Sequence, residues 1–183
     1  MIELFNKYAP WKILRYFALH PSKGVYVKEI AKKLNLSAGI CSKILRELLE
    51  LQILEKNNLG QAHYYKLADN YITKELKRFI GLSLIYKARI IENITDEFDK
   101  PTSIVLYGSY ITGEFNEKSD IDILVIGSGK QRIDTHNLEE AIGKEINIEV
   151  FSIGNWLMLK KKNDSFYTMV IKDYILLYGS KLP

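Results

Sequence analysis

Residues 103–126 read Ser-Ile-Val-Leu-Tyr-Gly-Ser-Tyr-Ile-Thr-Gly-Glu-Phe-Asn-Glu-Lys-Ser-Asp-Ile-Asp-Ile-Leu-Val-Ile. Ile104 to Tyr107 has the unbroken apolar character of a buried strand and ends at Gly108-Ser109. A short helical turn to about Gly113 and a polar loop follow. Asp120-Ile121-Asp122 then opens a second apolar strand, Ile123 to Ile126, and ten residues separate Ser109 from Asp120. Side chains alternate along a strand, so Asp120 and Asp122 share one face and Ile121 and Ile123 the other. Two neighbouring carboxylates repel each other unless a cation lies between them. Hard oxygen ligands on a rigid strand suit Mg²⁺, which is usually held by one or two carboxylates together with substrate phosphates. Gly108-Ser109 stands where a strand gives way to a helical turn, a place where backbone N–H groups and a hydroxyl cradle phosphate.

Downstream, a helix is expected at about Leu138 to Lys144, then a strand Ile146-Asn147-Ile148-Glu149-Val150-Phe151. Ile146, Ile148 and Val150 share one face of it, and Asn147, Glu149 and Phe151 the other. Glu149 is an acid embedded in an apolar strand, which is costly unless it is paired or metal-bound. Glu145, at the strand edge, is the competing acid. Helices over Trp156 to Lys162 and Ser165 to about Lys172, then a strand Tyr174 to Tyr178, complete a small α/β sheet. Lys160-Lys161-Lys162 reads as a solvated helix end.

Gly-Ser, ten residues, then Asp-x-Asp on a strand resembles the signature of the DNA polymerase β nucleotidyltransferase superfamily, and looks most like its compact prokaryotic minimal nucleotidyltransferases. The resemblance implies Mg²⁺-dependent transfer of a nucleoside monophosphate, AMP from ATP or the equivalent from another NTP, to an acceptor hydroxyl. Asp120 and Asp122 would hold one metal and share a second with Glu149, which fits the family's third carboxylate position by similarity. Many family members place Asp there. Gly108 and Ser109 would fix the β and γ phosphates. Small members of the family modify partners in trans, including the toxins of toxin–antitoxin pairs. With no substrate domain of its own, this chain is expected to find its acceptor on a partner protein. The rival reading is a nucleotide-responsive transcriptional regulator that does not turn the nucleotide over.

Before this region, Trp11 to Leu19 and Tyr26 to Leu34 read as helices, and Ser37 is a good N-cap for a third, Ala38 to Leu51. Cys41, Ile44, Leu45, Leu48 and Leu49 form its apolar face. Ala38, Gly39, Ser42, Lys43 and Arg46 form the opposite one, small, polar and basic, as entry into a major groove requires. Ile53 to Lys56 and Gln61 to Leu67 are β-prone runs around Asn57-Asn58-Leu59-Gly60, and so predict a hairpin. Helix, helix, capped helix and hairpin resemble a winged helix-turn-helix of the bacterial and archaeal regulator type. That resemblance implies double-stranded DNA as a partner. Ser42, Lys43 and Arg46 would enter the groove, and Lys56, Gln61 and His63 of the wing would lie on the backbone or in the minor groove.

Tyr71 to about Phe98 is helical in pattern, as one long helix or as two broken near Gly81. Its apolar stripe is too wide for one face of a single domain, which suggests packing between domains or a homodimer. The expected architecture is α+β: a winged helix-turn-helix over 1–70, a linking helical segment over 71–99, and a nucleotidyltransferase-type domain with a mixed sheet over 100–183.

Composition agrees with this partition. The 183 residues carry a net charge of +4. Residues 1–70 hold 11 Lys and Arg against 6 Asp and Glu, and the rest hold 15 against 16, so a polyanion partner is expected for the front alone. Apolar residues make up 47%, which excludes disorder. No run approaches the about 18 apolar residues of a membrane span. A single cysteine, Cys41, excludes an internal disulfide. The start lacks a secretory pattern, so a soluble cytoplasmic protein is expected.

Overall fold

The computed structural model describes residues 2–59, 62–98, 101–128 and 133–183. It forms two compact units, Met1–Ile80 and Gly81–Pro183. Residues 71–80 fall in the first unit and those from Gly81 onward in the second.

The first unit holds α1 (Ile2–Phe5), α2 (Ala9–Leu19), α3 (Val27–Leu34), α4 (Ala38–Glu50), and the antiparallel hairpin of β1 (Leu54–Leu59) and β2 (Ala62–Leu67). Ser37 caps α4 as expected, its Oγ accepting from the Ile40 amide at 3.2 Å. Asn35 ends α3 in the left-handed conformation, φ 53°, which asparagine tolerates. Ile13, Phe17, Ile30, Cys41 and Leu45 are buried together with Leu54, Tyr65 and Leu67 of the hairpin. A bridge between Val25 and Tyr65 ties the segment before α3 to the hairpin.

The hairpin corrects one expectation. Asn57, Asn58 and Leu59 are strand, paired with Tyr64, His63 and Ala62, and not turn. The ladder that starts at Leu54 and Leu67 runs on through the asparagines, and Asn58 Oδ1 meets His63 Nδ1 across it at 2.6 Å. The residues between the strands, 60 and 61, lie outside the described residues, and Gln61 with them.

α5 (Tyr71–Lys87) passes through Gly81 without a break, and the interruption falls instead at Arg89, φ 56°, before α6 (Ile90–Glu97). Gly81 serves close packing: a Cβ there would lie 2.8 Å from the Tyr110 ring.

In the second unit, β3 (Ser103–Tyr107), α7 (Ser109–Thr112), β4 (Ile121–Ile126), α8 (His136–Ile142), β5 (Ile146–Phe151), α9 (Ile153–Lys161), α10 (Ser165–Lys172) and β6 (Ile175–Gly179) follow in order. The sheet order is β5-β4-β3-β6, with β4 and β5 parallel and the other pairs antiparallel. It is a mixed sheet, as the sequence predicts. Val105, Tyr107, Leu124 and Ile126 on one face pack with Trp156 of α9 and Val170 of α10. Ile104, Leu106, Ile123 and Val125, on the other face, are also fully buried. The two central strands, buried on both faces, leave polar side chains to their ends and to the more exposed edge strands.

Candidate active site

The antiparallel pairing of β3 with β4 brings the end of one to the start of the other. Tyr107 faces Asp122, and Gly108 follows at once. Gly108 has φ 76° and ψ −153°, a conformation that favours glycine. A Cβ on it would overlap Oδ2 of Asp122. The glycine of the motif is therefore required by its own aspartate: it leaves the space the carboxylate fills. Ser109 starts α7, which Gly113 ends in the left-handed conformation.

The polar loop after α7 is pinned at several points. Phe115 is buried and stacks on Tyr110, ring centroids 4.3 Å apart and 7° from parallel. The Asn116 amide donates to Ser119 Oγ at 2.9 Å, and the Lys118 amide to Asn116 Oδ1 at 2.8 Å. Lys144 Nζ donates to the carbonyls of Asn116 at 3.0 Å and Glu117 at 2.6 Å. This network delivers Asp120 to the mouth of β4 in a fixed place. Sequence reasoning assigned no role to Lys144. Its signal was a lone lysine directly before a strand.

Asp120 and Asp122 do converge, as strand alternation predicts. Asn147 of β5, in register with Asp122, donates its Nδ2 to Asp120 Oδ2 at 3.2 Å and to Asp122 Oδ1 at 3.5 Å. Burial raises the Asp122 pKa from its ordinary value; the Asn147 hydrogen bond opposes that shift and the charge of Asp120 adds to it. Burial also pushes the Tyr107 phenol up, with Asp122 and Glu149 adding to it. Burial and then Asp120 push Tyr110 up to about 12. Burial lowers the Lys144 pKa, and Glu117 and Asp120 oppose that shift.

Glu149 is placed differently from expectation. It is exposed on the edge strand β5, in register with Leu124, one same-face step beyond Asn147, and so it is not embedded in an apolar strand. Among the described residues no group of three or more His, Cys, Asp or Glu side chains is placed to hold a metal ion. Glu145 is exposed as well, and its carbonyl accepts from the Ile121 amide. Asn147 is the residue the sequence reading passed over. Its signal was the period of two that puts it on the face of Glu149, beside the aspartate pair.

In the first unit Lys43 and Arg46 are exposed on α4 and Ser42 is half-buried. Lys43 lies 4.0 Å from Glu47, and Arg46 Nε donates to the Ser42 carbonyl at 3.3 Å. Nothing lies within 4 Å of the Cβ position of Gly39. Lys56 and His63 are exposed on the hairpin. No described helix is long and apolar enough to cross a membrane.

Gly108 at the end of β3 is thus packed against Asp122 on the neighbouring strand of a mixed sheet, with Asp120 beside it. The model of the nucleotidyltransferase domain family matches residues 88–177. Two relatives from Methanocaldococcus jannaschii were found. "Putative protein adenylyltransferase MJ0435" is 39% identical over 71 residues, 36% of this chain and 74% of that protein. "Putative protein adenylyltransferase MJ1305" is 41% identical over 61 residues, 27% of this chain and 42% of that protein. The chain thus spans less than half the length of the second relative. A solved structure, a "putative nucleotidyltransferase" from Sulfolobus solfataricus, has TM-score 0.36 and 19% identity over 61% of this chain and 91% of its own. The chain belongs to the nucleotidyltransferase domain family.

Proposed function

We propose that the chain moves AMP from ATP to a hydroxyl on a partner protein. The observation that carries this reading is the convergence of Asp120 and Asp122 against Gly108, and the names of the two archaeal relatives support a protein acceptor. The pair fits Mg²⁺ by its chemistry: two hard carboxylates whose mutual repulsion a divalent cation relieves. When bound with ATP, that ion neutralises triphosphate charge and lowers the pKa of the acceptor hydroxyl.

The chain's own residues do the rest. Asp120 and Asp122 would hold the divalent cation that binds the triphosphate, and Gly108 and Ser109 hold the β and γ groups so that attack on the α-phosphorus is in line. The acceptor oxygen forms a bond to that phosphorus, the bond to the β-phosphate bridge breaks, pyrophosphate leaves and the hydroxyl proton is released. Glu149 stands on the same face of the sheet and takes that proton. Positioning and charge neutralisation carry most of the rate. The first unit acts as a winged helix-turn-helix on double-stranded DNA, with Ser42, Lys43 and Arg46 entering the major groove and Lys56 and His63 on the backbone.

The test mixes the protein with Mg²⁺ and α-labelled ATP in extract of its host, beside the Asp120→Asn/Asp122→Asn double variant. Label reaching a discrete protein band with the unaltered chain alone is expected. Label on none of the bands with any of the four nucleotides, while nucleotide still binds, would leave a nucleotide sensor.

A further inference from the structure

The place across the sheet from Asp122 is held by an amide. Asn147 is in register with Asp122, and its Nδ2 reaches both carboxylates, at 3.2 Å and 3.5 Å. It is exposed, so the core does not dictate which way its amide faces. Glu149 pairs with Leu124, one step away.

We propose that Asn147 is the third side chain of the cation site and works there in two orientations. The two ends of an amide are nearly equal in size, and a half-turn about its last bond exchanges two N–H donors for a carbonyl oxygen. Before a cation binds, the N–H end bridges the carboxylates and offsets their repulsion. Once a divalent cation lies between them, those N–H groups lose their purpose. The carbonyl end then offers a hard, neutral oxygen, a ligand type that such ions accept. An aspartate at this position would lack the N–H and add a third like charge. The amide therefore keeps the cation-free pair tolerable and completes the site when it fills. The inference rests on reading Asp120 and Asp122 as the cation pair, and it makes Asn147 a third ligand beside them.

Mn²⁺ titration of the full chain without nucleotide, followed by the paramagnetic resonance of free Mn²⁺, separates the two claims. Asn147→Ala is expected to weaken binding by about tenfold or more. Asn147→Asp is expected to bind at least as tightly as the unaltered chain, yet to melt lower without metal and recover when Mn²⁺ is added, a rescue that a merely structural asparagine would not give. Glu149→Gln should keep the unaltered affinity. If Asn147→Ala binds normally while Asp122→Asn does not, the inference fails and the aspartate pair stands. Glu149→Gln losing as much as Asn147→Ala would give the third place to Glu149 and overturn the inference. Equal binding by Asp122→Asn and the unaltered chain would remove the pair itself as a cation site.

Discussion

The two units set their functional side chains in opposite ways. In the second, Asp122 is half-buried at the mouth of a sheet covered on both faces, and Gly108, Asn147 and the pinned loop after α7 leave it little freedom. In the first, Lys43, Arg46 and Lys56 stand exposed on a helix and a strand, Lys43 beside Glu47 and Arg46 on the Ser42 carbonyl of the same helix. A reacting centre needs preorganised charge, which the protein holds in place at some cost to its stability. A face that meets a polyanion needs only charge that can adjust. The basic face of the first unit and the paired acids of the second thus place charge for different purposes, and each should be breakable without the other.

The sharpest break is Asp122→Asn. It should lower nucleotidyl transfer by on the order of a thousandfold, the scale on which a single transition-state electrostatic contact acts. Operator binding, measured by fluorescence anisotropy, should stay as it was. A parallel loss of DNA binding would mean that the units do not work separately. Gly108→Ala comes next, with transfer expected to fall about a hundredfold. Its φ of 76° disfavours alanine, and the new methyl would displace the Asp122 carboxylate. Because the damage passes through Asp122, Mn²⁺ affinity should fall with the rate. Arg46→Ala sharpens the other side. It should weaken DNA binding about tenfold and reduce the salt slope by about one ion, leaving transfer unchanged.

How far these features were legible depended on how local their causes were. Ser37 capping α4, the apolar strands that hold Ile104 and Ile123, and Gly113 ending the turn are written in neighbouring residues, and they stand where periodicity puts them. Gly81 looked like a helix breaker because its role lies across space, against the Tyr110 ring. Asn57 and Asn58 looked like turn because turn propensity is local, whereas the ladder from Leu54 to Leu67 is not. Asn147 is the clearest case. Alternation placed it on the right face, but an amide between two charged candidates drew no attention until the parallel register of β4 and β5 set it opposite Asp122. The burial of Glu149 was misjudged in the reverse direction: an acid between apolar residues suggested burial, and its place on an edge strand leaves it exposed.

The smallest effect expected is on stability. Asp122 has its pKa raised above its ordinary 3.8 chiefly by burial, so its ionised form is held against the preference of its surroundings. For an acid with a raised folded pKa, both states are protonated below the unfolded value and nothing is lost there. As pH rises past the unfolded pKa the carboxyl begins to cost the fold, and the cost is complete once pH has risen through the folded pKa. An amide of the same shape never ionises. Asp122→Asn should therefore melt about 2 °C higher than the unaltered chain at pH 7 without divalent cation. The difference should shrink toward pH 4, and added Mg²⁺ should narrow it by stabilising only the chain that keeps its aspartate. A variant that melts lower than the unaltered chain at pH 7 would show that Asn147 and the loop already offset the charge in full. The second unit would then hold its acids at no cost, as the first holds its bases.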